Sequence, residues 1–305
     1  MVPAAQNRHL LGLDGVGRQE LESLLDQAQV LGPIAAGRAP PLDLATGRIV
    51  ANLFFEDSTP VRVSFTVAAR RLGADSVDQT GSGSSLSKGE TLLDTALTVE
   101  AMGVAALVVA SPCEGTPARI AAAVSCAVIN AGDGRHEHPT QGLGDILTLR
   151  QRWGDLSGRV IAIVGDIADS RVARSNIHGL TTLGADVMLV GPPSLVPVSL
   201  GSIASGPGRV TVVHDLDEVL EKVDAIMMLR AKMEAIAEED HSAFRLTVAR
   251  ARRLRPEALV MHPGPVNSGV EIDSEVADDS RRSVILRQVA NGVAVRMAVL
   301  KRSLS

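Results

Sequence analysis

Only two cysteines, Cys113 and Cys126, occur in the 305 residues. Two thiols are too few for a disulfide framework, and they lack metal-ligand spacing, so a reducing cytoplasm and a metal-free chain are expected. Long apolar runs are missing as well. The longest, such as 104–110, fall far short of the ~20 residues that cross a bilayer, and residues 1–11 have no charged segment followed by an apolar stretch. Neither a membrane span nor an export signal is expected. Blocks of like charge are also absent, because the 30 basic and 35 acidic residues are interspersed and sum to a net charge of -5. Nucleic acid and anionic membrane are therefore not expected partners, and any anion site must be local. What is present is a hydrophobic fraction of 45% with 21% charged residues, the balance of a folded globular protein. The length suffices for two domains, each with its own core.

Short apolar runs bounded by turn residues predict buried strands over 49–55, 105–110, 160–164, 186–190, 225–229 and 258–261. Helical spacing of apolar residues predicts helices over 61–72, 91–102, 171–183 and 216–223, and a further helix over about 140–153. Strand alternating with helix predicts an α/β fold with doubly wound parallel sheets, and the alternation occurs twice. The break between the two runs falls within 139–158.

In such sheets ligands collect where strands end and helix N-termini present amides. The segments just after the strands are Glu56-Asp57-Ser58-Thr59, residues 111–115, 166–171 and 230–234, and His262-Pro263-Gly264-Pro265. Ser58 and Thr59, ahead of Pro60, can cradle a phosphate at the positive end of a helix, or Asp57 or Ser58 can simply cap it. His138 and Gln141 can address a carbonyl, or Pro139 can merely start a helix. A nucleotide site on the second sheet is disfavoured, since residues 164–169 lack the G-x-G-x-x-G spacing.

Taken together, these stretches resemble aspartate transcarbamoylase over nearly the whole chain. The resemblance rests on Phe54-Phe55-Glu56 with Ser58-Thr59, on Ser87-Lys88-Gly89-Glu90-Thr91, on His138-Pro139-Thr140-Gln141 and on Ser170-Arg171-Val172-Ala173-Arg174. It rests equally on His262-Pro263-Gly264-Pro265 and Arg296-Met297-Ala298. Ornithine-specific relatives carry His-Cys-Leu-Pro where this chain has His262-Pro263-Gly264-Pro265, so the likeness is to the aspartate branch. It implies a carbamoyl phosphate domain over 1–138, joined by a returning C-terminal helix at about 288–305, and an amino-acid domain over 139–287. It further implies a homotrimer with shared sites and a reaction that needs no metal or organic cofactor. Ser58 and Thr59 would contact phosphate, and His138 and Gln141 would hold the carbamoyl group. Ser84 and Lys88 would enter from the neighbouring subunit. Arg171, Arg230 and the main chain of Pro265 and Val266 would bind aspartate.

Several positions depart from the family pattern. Where the family has Ser-Thr-Arg-Thr-Arg, this chain has Ser58-Thr59-Pro60-Val61-Arg62, and where it has Arg-His after the strand at 105–109, this chain has Ala110-Ser111. Gln-x-Glu-Arg becomes Lys232-Met233-Glu234-Ala235, and Asn-Arg-Gly becomes Asn267-Ser268-Gly269. Proline removes both a guanidinium and an amide, and Val61 removes a hydroxyl. Losing a preorganised donor costs on the order of 10² to 10³ in rate, so carbamoyl transfer is expected to be impaired and carbamoyl phosphate becomes a doubtful substrate. Three readings follow. One is a working transferase with charge restored by Lys232, Arg62 or Lys88. Another is a non-catalytic subunit in mixed assembly with a pyrimidine-pathway chain. The third is a transferase joining aspartate or a similar acid to a different electrophile.

Overall fold

The computed structural model describes residues 8–80, 91–230 and 242–305. The candidates Ser84, Lys88, Lys232 and Ala235 lie outside the described residues. The chain divides into two compact units: Met1–Leu13, Gln19–Leu143 and Ala290–Ser305 form one, Asp14–Arg18 and Gly144–Val289 the other.

In the first unit, α1 (Arg18–Ala35) precedes β1 (Ile49–Phe54), α2 (Thr59–Arg71), β2 (Asp75–Thr80), α3 (Leu92–Ala101), β3 (Ala106–Ser111), α4 (Thr116–Ala121) and β4 (Ala127–Asp133). All strand pairs are parallel, in the order β2-β1-β3-β4. β3 and β4 are buried at every position, as parallel strands covered on both faces must be. β2, of sequence DSVDQT, carries no apolar run and was not among the expected strands. It joins as an edge through main-chain pairing of Ile49 with Asp75 through to Phe54 with Thr80, and its polar side chains suit an edge.

α5 (Pro139–Trp153) opens in the first unit and continues into the second. There follow β5 (Val160–Val164), α6 (Arg171–Thr182), β6 (Asp186–Val190), β7 (Val210–Val213), β8 (Ala225–Met228), α7 (Val248–Ala251), β9 (Leu259–Met261) and α8 (Ser274–Ala277). This sheet is parallel throughout, in the order β7-β6-β5-β8-β9. The helix expected over 216–223 is instead a run of turns, closed by the Val219 amide donating to the Leu216 carbonyl at 3.3 Å and Lys222 to Val219 at 2.9 Å. Leu216, Val219, Leu220 and Val223 are nevertheless buried in the core. Three-residue turns bring i and i+3 to one side just as a helix does, so the periodicity reported the buried face and not the hydrogen-bond pattern.

α9 (Ile285–Leu304) ends the chain, and from Ala290 onward it belongs to the first unit. There Arg302 Nη1 donates to Glu20 Oε1 of α1 at 2.7 Å, and the Arg296 guanidinium lies 5.2 Å from the Phe65 ring of α2. Each unit is thus built on its own parallel α/β sheet, and the last helix returns to the first.

In each sheet the strand order reverses about one point. Chain order runs outward from β1 to β2 on one side and to β3 on the other; in the second sheet the reversal lies between β5 and β8. These are the crevices at which open parallel sheets take their ligands.

Candidate functional site

At the first crevice, the Phe55 amide donates to the Ala110 carbonyl at 2.8 Å, tying the ends of β1 and β3 together. Ser58 is the N-cap of α2, yet its hydroxyl makes no capping hydrogen bond. Arg62 is the residue whose amide bonds back to the Ser58 carbonyl, at 3.1 Å. Amides ahead of that point have no partner within a helix, so Thr59 and Val61 present donors beside the Ser58 hydroxyl at the positive helix end. Pro60 presents none.

Across the crevice Ala110 and Ser111 are fully buried. Ser111 Oγ donates to Thr116 Oγ1 at 3.2 Å and accepts the Cys113 amide at 3.1 Å, which folds the loop that starts α4. Arg62 does not turn toward this crevice: Nη1 donates to Asp78 Oδ2 of the edge strand at 3.0 Å. The side chains at positions 60, 61, 110 and 111 bring no cation.

His138 follows β4. The turn between them is built on Asp133, whose buried carboxylate accepts from Asn130 Nδ2 at 2.8 Å, the Gly115 amide at 2.8 Å and the Glu137 amide at 3.1 Å. Glu137 Oε2 in turn accepts the Leu13 amide at 2.7 Å. His138 is buried at the start of α5, and the Gln141 amide donates to its carbonyl at 3.1 Å. The two side chains are thus one turn apart at one helix end, on the carboxyl edge of the sheet that carries Ser58.

At the second crevice Gly165, with φ of 128°, turns the chain out of β5 toward Leu229. Ser170 caps α6 by accepting the Ala173 amide at 3.1 Å, and Arg171 is the first residue of that helix. The Leu229 amide donates to the Val164 carbonyl at 2.9 Å, and exposed Arg230 follows it. Arg171 and Arg230 therefore flank the switch point from β5 and β8. Pro265 and Val266 leave the neighbouring strand β9, in a segment with a cis Gly264-Pro265 bond. Ser268 Oγ accepts from Ser274 Oγ at 2.9 Å, so it fastens the start of α8.

Buried carboxylates are the part of the site that sequence reasoning missed: Asp133, Glu137, Asp145 and Glu271 are all nearly inaccessible. For Asp145 a signal existed, since it interrupts the buried face of Leu143, Ile146, Leu147 and Leu149. No group of three or more His, Cys, Asp or Glu among the described residues is arranged to hold a metal ion. A cavity of about 410 Å³, lined in part by Val248, Arg252, Glu275 and Arg282, shares no residue with these strand ends.

Comparison with known proteins adds names to this geometry. The sequence model of the aspartate/ornithine carbamoyltransferase carbamoyl-P binding domain matches residues 8–151, and that of the Asp/Orn binding domain matches residues 157–302. The chain is 52% identical to the aspartate carbamoyltransferase catalytic subunit of Myxococcus xanthus, covering 96% of this chain and 98% of that one. It is 49% identical to the Rhodospirillum rubrum catalytic subunit, covering 99% and 95%. Among solved structures it is similar to Trypanosoma cruzi aspartate transcarbamoylase in complex with N-(phosphonacetyl)-L-aspartic acid. The TM-score there is 0.88 at 29% identity, covering 98% of this chain and 96% of that one. Ornithine carbamoyltransferase from Pyrococcus furiosus gives 0.87 at 28%, covering 98% and 97%. The strong likeness is to catalytic subunits, and the expectation of a degraded carbamoyl phosphate motif and impaired transfer finds no support in it.

Proposed function

The chain belongs to the aspartate carbamoyltransferase catalytic-subunit family, and from that premise we propose that it transfers the carbamoyl group of carbamoyl phosphate to the α-amine of aspartate, in the cytoplasm, as a step of pyrimidine biosynthesis. The amine nitrogen forms the new bond to the carbamoyl carbon and gives up a proton, the bond from that carbon to the phosphate oxygen breaks, and phosphate departs with that proton. Such a reaction is driven by positioning and by donors aimed at developing charge. His138 polarises the carbamoyl carbonyl and Gln141 orients the carbamoyl nitrogen. Ser58, Thr59 and the first-turn amides of α2 receive the phosphate. Arg171 and Arg230 take the two carboxylates of aspartate, assisted by the main chain of Pro265 and Val266. Ser84 and Lys88 act on a neighbouring subunit's site in a homotrimer. The observation that carries this reading is that every one of these described residues follows a strand at the carboxyl edge of its sheet, with Ser58, Arg171 and Arg230 at the two switch points.

One observation favours a second reading, a non-catalytic homologue serving as a structural or regulatory subunit. Pro60, Val61 and the buried methyl of Ala110 bring no charge to the phosphate crevice, and Arg62 is engaged with Asp78. Incubating the purified protein with carbamoyl phosphate and labelled aspartate decides between them. Carbamoyl aspartate from the unaltered protein establishes the transferase. Product only from the double variant Pro60→Arg, Ala110→Arg establishes the homologue that has lost phosphate handling.

A further inference from the structure

We propose that Glu271 is a positioning residue for the segment 262–267, holding it through a buried hydrogen-bond relay with His262. The proposal rests on the reading above, in which the main chain of Pro265 and Val266 receives aspartate. Glu271 and His262 are 5% and 1% exposed, and Gln288 and Asp145 behind them 2% and 0%.

One oxygen, Glu271 Oε1, accepts twice: from His262 Nε2 at 2.9 Å and from the Asn267 amide at 2.7 Å. The other imidazole nitrogen, Nδ1, accepts the Gly264 amide at 2.9 Å. An amide can only donate, so Nδ1 carries no proton, and the ring is the neutral tautomer that donates from Nε2 to the carboxylate. The His262 amide donates to Gln288 Oε1 at 3.0 Å, Gln288 Nε2 donates to Asp145 Oδ1 at 2.9 Å, and Asp145 Oδ2 accepts from Asn176 Nδ2 at 2.8 Å. The main chain of His262 is thereby tied to α9 and, through Gln288 and Asp145, to α5 and α6.

The consequence lies in what remains of the segment's main chain. Pro263 and Pro265 have no N–H, so between residues 263 and 267 the amides are those of Gly264, Val266 and Asn267. Two of the three are consumed by the relay, one on each side of Pro265-Val266. The Pro265 carbonyl and the Val266 amide stand between these two pins, and their aim is set by a buried carboxylate that does not itself reach substrate. A buried carboxylate retains such a place only when its lone pairs are met, so removing it both frees the segment and leaves two buried donors unsatisfied.

The test compares Glu271→Ala with Glu271→Gln, whose amide oxygen can accept the same two bonds. A 1 Å displacement of binding groups costs up to about 10² in rate, so E271A is expected to raise the aspartate KM, and the aspartate Kd by calorimetry, on the order of tenfold or more. The carbamoyl phosphate KM should stay within about twofold, and E271Q should restore the aspartate KM to within about threefold. Unchanged aspartate binding in E271A, or an equal rise in both KM values, overturns the proposal. If E271A does not fold, Glu271→Asp, which shortens the reach by one methylene, is expected to shift aspartate KM in the same direction; no shift there overturns it. An unaltered protein that binds no aspartate refutes the functional reading alone. In that case amide hydrogen exchange at Gly264 and Asn267 decides the positioning role, with faster exchange in E271A expected and equal exchange overturning it.

Discussion

At the scale of the residue, His138 and Ala110 bear on different halves of the proposed reaction. His138 is buried at a helix start, held in place by a turn assembled on Asp133. Replacing it with alanine is expected to lower kcat by about 10² to 10³, the usual cost of one preorganised group aimed at developing charge, with little change in aspartate binding. Steady-state kinetics with isothermal titration of aspartate separates the two. Pro60 occupies the first turn of α2, where proline is well tolerated but presents neither amide nor cation. Pro60→Arg is expected to lower the carbamoyl phosphate KM on the order of tenfold, because a charge-assisted bond contributes about 1.5–3 kcal/mol. Initial rates at saturating aspartate give the comparison.

The two thiols differ as sharply. Burial, with the Glu100 carboxylate next, pushes the Cys126 thiol up to about 12 from its ordinary 9.0, whereas Cys113 is exposed. Thiolate is the reactive form, so at pH 8 to 9 an alkylating reagent is expected to modify Cys113 and spare Cys126, as peptide mass spectrometry would read. The stability consequence has a definite sign. Below about pH 9 both folded and unfolded chains keep this proton. As pH rises from 9 toward 12 only the unfolded chain releases it, so stability falls across that window.

At the scale of the element, the junction between α3 and β4 turns on Glu100. Its Oε1 accepts the Ser125 amide at 2.6 Å, Ser125 Oγ at 2.8 Å and the Cys126 amide at 2.9 Å. Burial acts to raise the Glu100 carboxyl, and these donations from Ser125 and Cys126 outweigh it and hold the group below its ordinary 4.5. A lowered carboxyl stabilises the fold above its unfolded value, and the contribution disappears as pH falls through the folded one. Because water can replace the bonds to exposed Ser125, Glu100→Ala is expected to cost on the order of 1 kcal/mol or less and to flatten the loss of stability below pH 4.5. Denaturant melts of both proteins at pH 7 and pH 4 check size and sign.

Elements were legible to different degrees, for identifiable reasons. β5 and β8 are short, continuous apolar runs, and their burial on both faces leaves them hardly any other sequence to have. β2 escaped because an edge strand is held by its main chain, which any side chain permits. The segment 216–223 shows the complementary limit: apolar spacing specifies which residues turn inward, while the hydrogen bonds that connect them depend on the room the loop is given.

At the scale of the whole molecule, the fold brings chain-distant segments to common edges. Ser58, Ala110 and His138 lie along the carboxyl edge of one sheet, Arg171, Arg230 and Pro265 along that of the other. If Ser84 and Lys88 act on a neighbour's site in a homotrimer, sedimentation equilibrium is expected to give three times the mass of the single chain. Mixing a Lys88→Ala variant with a His138→Ala variant is then expected to restore part of the activity lost by each, since some hybrid sites combine an intact His138 with an intact Lys88. Absence of any restoration counts against shared sites.

By itself the sequence determined the parallel α/β class, the repetition of that pattern and the family, because apolar periodicity and local motifs are carried by neighbouring residues. Tertiary structure alone decided what surrounds those motifs. It spends Arg62 on Asp78, buries Ala110 at the end of β3, and routes Asp145, Gln288, Glu271 and His262 into one relay beneath Pro265. Residues as far apart as 145 and 288 meet only when strands and helices pack, and a carboxylate reads the same in sequence whether it faces water or holds a loop.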